Sequence, residues 1–247
     1  MIIIGAQLYT VRDLLGSDDQ IRQTLSGIKA LGYGSVQLFG SLDLIRGCCQ
    51  AAREVGLEVS GILTGMDECE VEEAQLFDVC RRYGVADLGI SSGCREYEET
   101  MELIRRVNEF APKAKAQGLT FSYHNHANEF QRTSCGKTVM ELFLEHFDRE
   151  AVTFMPDTYW LQCGGTDVRR FLELVKNRVS ILHLKDMKYT PNGQRFAEIG
   201  QGNLYWEGIF RIARDCGIQQ FAVEQDSCDG DPLESLKISM NYLKTIL

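Results

Sequence analysis

Ionisable residues gather at four places in this chain: Tyr123-His124-Asn125-His126 with Glu129, Asp157, His183-Leu184-Lys185-Asp186, and Glu224-Gln225-Asp226. Three of the four histidines fall in these segments. Imidazoles mixed with carboxylates form the donor set that suits Mn²⁺, Mg²⁺, Co²⁺ or Zn²⁺, whereas thiolate-loving ions and all-oxygen Ca²⁺ sites want other ligands. A single Asp or Glu after a strand ordinarily caps the next helix, and a single His is ordinarily just hydrogen-bonded. Asp157, His183 and Glu224 taken together point to a metal cup, because clustered ionisable groups are costly without a counter-ion. Gln7, Tyr9, Asn125, Trp160 and Lys185 lie beside these groups and are candidate substrate contacts, Trp160 and Tyr159 as an apolar wall for the carbon face of a sugar. Lys185 has a second reading, as an ion-pair partner of Asp186. His146, within Glu145-His146-Phe147 of a helical segment, is given no role.

Such residues can meet only if the fold brings distant segments to one rim. Eight strand-like runs satisfy this: Ile2 to Leu8, Ser35 to Phe39, Leu57 to Leu63, Asp87 to Ser91, Leu119 to His124, Val152 to Asp157, Ile181 to His183 and Gln220 to Glu224. Each is followed by a helix-length segment, at the roughly 30-residue spacing of a βα unit. Ser17-Asp18-Asp19-Gln20 reads as a capping box ahead of Ile21, Leu25, Ile28 and Leu31. Gly32, Gly56, Gly84, Gly118 and Gly217 close helices, and Asp231-Pro232 opens the last one. The eightfold alternation predicts an α/β fold, a single (β/α)₈ TIM barrel over residues 1–247, with its chemistry at the carboxyl ends of the strands. A dinucleotide-binding open sheet would show GxGxxG after the first strand; here that strand runs into Gln7-Leu8-Tyr9-Thr10.

Composition sets the partners. A formal charge of −9 argues against a nucleic-acid backbone, which is held by clustered Lys and Arg, and favours a small molecule. No run is long and apolar enough to span a bilayer, and Met1 to Gly5 lacks a basic leader, so a cytoplasmic location and no membrane partner are expected. Nine cysteines without a CxxC pair read as reduced thiols. Barrels of this size often pair, so a homo-oligomer is an allowed state.

The segments Gln7 to Asp13, Tyr123 to Phe130, Asp157 to Trp160, His183 to Asp186 and Gly200-Gln201-Gly202, in this order, resemble the sugar phosphate isomerase/epimerase family of the xylose isomerase-like barrels. The resemblance runs from the first strand to the last. It implies a divalent ion, most often Mn²⁺, held by acidic and histidine residues of strands five to eight, with Asp157, His183 and Glu224 matching strands six to eight. Ketose epimerases of that family carry a glutamate at the tip of strand five. This chain departs there, and Glu129 folding back from the loop is the favoured fourth ligand, with His124 as the alternative. The implied chemistry is removal of a proton next to the carbonyl of a sugar or sugar phosphate through an enediolate, with isomerisation or epimerisation as the outcome. Glu224 is the leading base, and Glu129, His124 or His126 would return the proton. A rival outcome is elimination, as in the inosose dehydratases and keto-glycoside lyases of the superfamily; a further one is a barrel that only binds sugar. Endonuclease IV-like repair fails for want of histidines and on the sign of the charge.

Overall fold

A computed structural model describes residues 2–247. Eight parallel strands, β1 (Ile3–Gln7), β2 (Ser35–Phe39), β3 (Glu58–Thr64), β4 (Asp87–Ile90), β5 (Thr120–His124), β6 (Val152–Met155), β7 (Leu182–Leu184) and β10 (Gln220–Val223), pair in the order β6-β5-β4-β3-β2-β1-β10-β7. The remaining gap, between β6 and β7, is crossed by single bridges: Phe154 N–H donates to the Arg178 carbonyl at 2.6 Å and His183 N–H to the Pro156 carbonyl at 2.8 Å. The second of these bonds sets Asp157 directly beside His183. The sheet is therefore a nearly closed barrel, and a closed parallel sheet puts the carboxyl ends of all its strands on one face.

Helices α1 (Asp18–Leu31), α2 (Leu42–Val55), α3 (Met66–Val71), α4 (Glu73–Tyr83), α5 (Tyr97–Ala116), α6 (Val139–His146), α7 (Thr158–Cys163), α8 (Val168–Leu174), α9 (Trp206–Asp215) and α10 (Pro232–Ile246) surround it. Their punctuation follows the residue types. Ser17 accepts the Gln20 N–H at the start of α1, and Asp231 accepts the Leu233 N–H ahead of Pro232. Gly32, Gly56 and Gly84 end α1, α2 and α4 in the left-handed region. The fully reciprocal capping box is at α6, between Thr138 and Glu141. The apolar faces of the helices pack on the outside of the barrel, where Phe110, Phe121, Phe143, Phe154, Phe210 and Phe221 are all buried.

Two segments depart from the simple alternation. Leu8–Leu14 forms a 3-10 helix directly after β1. After β7 the chain turns back as an antiparallel hairpin, β8 (Asp186–Thr190) against β9 (Gly193–Ala197), before α9 begins. Pro191-Asn192-Gly193 is the turn signal that explains it, with Gly193 at φ 90°. The hairpin is tied down by Asp186, whose carboxylate accepts the N–H groups of Gly200, Gly202 and Leu204 and the Trp206 indole N–H. A Cβ on Gly202 would lie 2.3 Å from Asp186 Oδ1. That contact explains the second glycine of Gly200-Gln201-Gly202 and leaves Asp186 no part in pairing with Lys185.

The barrel interior is narrow and partly polar. A Cβ on Gly5 would meet Ser35 Oγ at 2.5 Å, so glycine is what lets β2 place a hydroxyl there. Met155, Ile181 and Ala222 form a small apolar layer of their own, backed by Leu63. On the floor side of it Asp87 is buried with one hydrogen bond, from Ser122 Oγ at 2.7 Å. Burial pushes the Asp87 carboxyl up to about 7, against the pull of the Ser122 and Ser180 hydroxyls. An acid whose folded pKa is raised stabilises most below its unfolded value and loses that contribution as pH rises through the folded one. Stability is thus expected to fall between about pH 4 and 7, by up to about 4 kcal/mol from this group. Urea unfolding across that range checks it: Asp87→Asn should flatten the slope and be the more stable protein at pH 8.

All nine cysteines are free thiols. Among the described residues no helix is long and apolar enough to cross a membrane.

Candidate metal centre and cleft

His124 closes β5, Asp157 follows β6 by two residues, His183 is the middle residue of β7, and Glu224 follows β10. Their side chains are buried, and one donor atom from each lies within 4.8 Å of all the others. Residues up to 100 positions apart meet because each ends a strand on the same face of the barrel.

Asp157 shows how local structure and site share a residue. Its Oδ1 accepts the Trp160 N–H at 2.9 Å, capping α7, and its N–H is held by Asn125 Oδ1 at 3.1 Å. Its Oδ2 turns the other way, 3.5 Å from His124 Nε2 and 3.1 Å from Lys185 Nζ. Glu224 Oε2 meets His183 Nδ1 at 2.8 Å and Lys185 Nζ at 3.2 Å. Lys185, fully buried, also reaches Asp226 at 2.7 Å. Its ammonium is held charged because these carboxylates outweigh the burial that opposes it. Burial alone would raise the carboxyls of Asp157 and Glu224; Lys185 and the facing histidines overcome it and hold both below the ordinary range. Asp226 is pushed up instead, since burial and repulsion from Glu224 and Asp157 outweigh Lys185. Burial first, then His183, drives His124 down to about 3, so it is a neutral donor.

These residues fit a divalent ion on two counts. Both ring nitrogens of His124 and His183 Nε2 are buried without a hydrogen-bond partner, and unsatisfied buried polar atoms call for a partner such as a bound ion. Three carboxylates, Asp157, Glu224 and Asp226, stand against one ammonium, Lys185; three minus one leaves two negative charges, the number a divalent cation balances.

Glu129 is placed differently from the expectation that it would fold back as the fourth ligand. Its carboxylate accepts the Tyr123 hydroxyl at 2.7 Å and the His126 N–H at 2.9 Å, with both oxygens spent on protein donors. Burial pushes it up to about 7. His124 occupies the strand-five position in the cluster, because strand alternation turns residue 124 inward with Ser122 while Tyr123 packs outward on Phe143 and Phe147. His124→Ala is expected to weaken Mn²⁺ binding by tenfold or more, roughly the cost of losing one ligand. Glu129→Gln should change it less than about threefold, as isothermal titration would show.

Above the centre opens a cleft of about 740 Å³. Gln7, Tyr9, His124, His126, Glu224 and Asp226 border it. Gln7 is locked by Gln37 and the Tyr9 N–H, whereas Tyr9 is 38% exposed and free to touch a ligand. Asn125 points into the protein and braces Asp157, so it is a strut and not a substrate contact. Lys185 lies behind the carboxylates and is not among the cleft-lining residues. Trp160 stands 5.4 Å from the His126 ring and packs with Tyr159 and Phe196. Phe196 and Asp226 were not singled out beforehand; Phe196 sits on the unforeseen hairpin, and Asp226 was visible as a strand-end acid next to Glu224. His146 lies at the end of α6, in the segment given no role.

Residues 28–246 match the family model described as xylose isomerase-like TIM barrel. The chain belongs to that family. Among curated relatives, inosose dehydratase from Mesomycoplasma hyopneumoniae is 27% identical over 173 residues, 61% of this chain and 55% of the relative. The enzyme of that name from Clostridium perfringens is 26% identical over 165 residues, covering 60% and 54%. The chain spans about half the length of the curated relatives it matches. Among solved structures, a sugar phosphate isomerase/epimerase from Parabacteroides distasonis superposes with a TM-score of 0.83 at 22% identity, over 98% of this chain and 93% of that one. A xylose isomerase-like TIM barrel protein from Mycobacterium smegmatis in complex with magnesium gives 0.73 at 16%, over 100% and 96%. D-allulose 3-epimerase from Methylomonas in complex with D-allulose gives 0.76 at 12%, over 100% and 97%. At these identities the structural likeness speaks for the barrel of the xylose isomerase-like family and not for a substrate.

Proposed function

We propose that the protein is a divalent-metal-dependent enzyme that removes the proton next to the carbonyl of an uncharged keto sugar or cyclic keto polyol and so isomerises or epimerises it. The observation that carries this reading is the cup of His124, Asp157, His183 and Glu224, with unsatisfied donor atoms and a surplus of two negative charges. A divalent ion held there, Mn²⁺ by preference and Mg²⁺, Co²⁺ or Zn²⁺ as substitutes, would supply Lewis-acid stabilisation of negative charge developing on the substrate oxygens. Glu224 borders the cleft with its carboxylate held ionised by Lys185 and His183, which is the form a proton acceptor needs. His126 faces the same cleft. Burial and then the Lys185 charge hold its imidazole pKa below the ordinary value, which favours the neutral form. His124 belongs to the cup, which leaves His126 as the second proton carrier.

The lining argues for an uncharged substrate. No Arg or Lys borders the cleft, while Glu68, Glu72, Glu224 and Asp226 do. The guanidinium beside it, Arg12, stacks on Tyr9 at 4.4 Å and is spent on the carbonyls of Tyr9 and Asp226, so among the described residues the cleft offers a phosphate no uncommitted cationic side chain. Tyr9, Phe39 and Leu63 provide apolar surface for carbon faces, and the carboxylates accept from hydroxyls.

A second outcome, loss of a β-hydroxyl as water, is favoured by the inosose dehydratase relatives and is open to His126, which borders the cleft and can pass on a proton it has taken up there to a departing oxygen. Both outcomes share the first proton transfer. Incubation of ketoses, inososes and keto-glycosides in D₂O with Mn²⁺ tests them: solvent deuterium at the carbon beside the carbonyl is expected in either case. A new ultraviolet absorption marks elimination. Absence of exchange across the panel, with the metal shown to be bound, overturns the proposal.

A further inference from the structure

The metal cup leaves Glu129 without a role, yet this carboxylate is completely buried and both its oxygens are engaged. It stands in a short 3-10 turn, Asn128–Phe130, just beyond β5. One oxygen accepts the Tyr123 hydroxyl at 2.7 Å, and the other accepts the backbone N–H of His126, three residues back, at 2.9 Å. Glu129 thus links a side chain of the barrel wall to the backbone of the histidine that borders the cleft.

Each end of the link is anchored. The Tyr123 ring packs against Phe143 at 4.5 Å and Phe147 at 5.8 Å, and its oxygen also meets Ser92 Oγ, from the segment after β4, at 2.7 Å. Phe130, next to Glu129, lies so close to the end of α7 that a Cβ on Gly164 would come within 2.3 Å of its ring. Glycine at 164 is what lets the turn seat there. The His126 carbonyl is held in its turn by Asn125 Nδ2 at 3.3 Å, so both polar groups of the His126 backbone are tied. Only the side-chain torsions of His126 remain to be set. Its ring meets that of His124 at 4.9 Å, nearly perpendicular, and that of Trp160 at 5.4 Å, and these neighbours limit the torsions.

We propose that Glu129 is a positioning residue, which carries the placement of Tyr123 to the backbone of His126 and so fixes that imidazole at the cleft for its proton transfer. The inference rests on the reading of His126 as the second proton carrier. Glu129 is not among the cleft-lining residues, so it acts through His126 and not on the substrate. The geometry sorts the substitutions. Alanine removes both bonds and leaves the buried Tyr123 hydroxyl without its acceptor and the His126 N–H free. Glutamine can keep both contacts: its carbonyl accepts the His126 N–H while its amide donates to the Tyr123 oxygen, whose own proton then goes to Ser92 Oγ.

NMR of the full chain carrying ¹³C-labelled histidine, with Mg²⁺ present and at one fixed pH, reads the placement, with His126→Gln to identify the resonance. In the wild-type protein the His126 ring signal should stand apart from that of the exposed His146, because the His124 and Trp160 rings shift it. Glu129→Ala is expected to move it toward the His146 position, Tyr123→Phe to move it the same way, and Glu129→Gln to restore it. Conversion of a panel substrate per bound Mn²⁺ should fall about tenfold to a hundredfold in Glu129→Ala, the cost of misplacing a catalytic group by about 1 Å. Added to His126→Gln, the same substitution should cost less than about threefold more, whereas general damage to the barrel would add in full. An unmoved His126 signal in Glu129→Ala, a Glu129→Gln protein as impaired as Glu129→Ala, or full additivity with His126→Gln overturns the proposal. If Glu129→Ala does not fold, the signal in Tyr123→Phe decides. If no panel member reacts with the wild-type protein, the reaction proposed above fails by itself, and the His126 signal alone then upholds or overturns the placement.

Discussion

Glu224→Gln is expected to lower solvent deuterium exchange beside the substrate carbonyl by about 10²–10⁴, the usual worth of a positioned proton acceptor. The amide keeps the shape and can still face His183 Nδ1, but it neither accepts a proton at neutral pH nor contributes charge to the cup. Two measurements separate these losses. Metal content at saturating Mn²⁺ reports the ligand role, and exchange per bound ion reports the base. If exchange per bound ion is undiminished, Glu224 is a ligand only and another titratable group at the cleft, Asp226 or His126 first, is the proton acceptor.

Lys185→Met is expected to cost stability on the order of 3–5 kcal/mol, since it strands Asp157 and Glu224 in the interior without their nearest cation. For a chain of this length that corresponds to a fall of roughly 10 °C or more in Tm. The side chain is fully buried, so screening by solvent does little to soften the loss. Mn²⁺ should recover a large part of it in the variant, because a divalent ion answers the same carboxylates, and its stabilising effect should exceed that seen with wild-type protein at equal Mn²⁺ concentration. Thermal melts with and without Mn²⁺ read this directly. A variant as stable as wild type in the absence of metal would show that Lys185 is not the counter-charge described above.

The barrel was legible because its signals are local and repeated: apolar runs of strand length, helix-closing glycines such as Gly56 and Gly84, and caps such as Ser17 and Asp231 each state their own element. The convergence of Asp157, His183 and Glu224 followed from the fold, since strand ends on one face need no knowledge of side-chain detail. Glu129 and Asn125 were harder because their direction depends on a few degrees of loop backbone after β5. The choice there is between facing the cup and facing the Tyr123 hydroxyl or the Asp157 N–H, and that competition is three-dimensional. The β8–β9 hairpin was missed for a different reason. Its Pro-Asn-Gly turn lay between segments too polar to register as strands.

One carboxylate, that of Asp157, serves two masters: an oxygen on the first turn of α7 and an oxygen on the centre. Substitution at this position is consequently expected to disturb both. Glutamate would overreach one of the two appointments, and asparagine would keep the helix while forfeiting charge. A cation on the inner oxygen would therefore act on the same side chain whose outer oxygen caps the turn that carries Trp160.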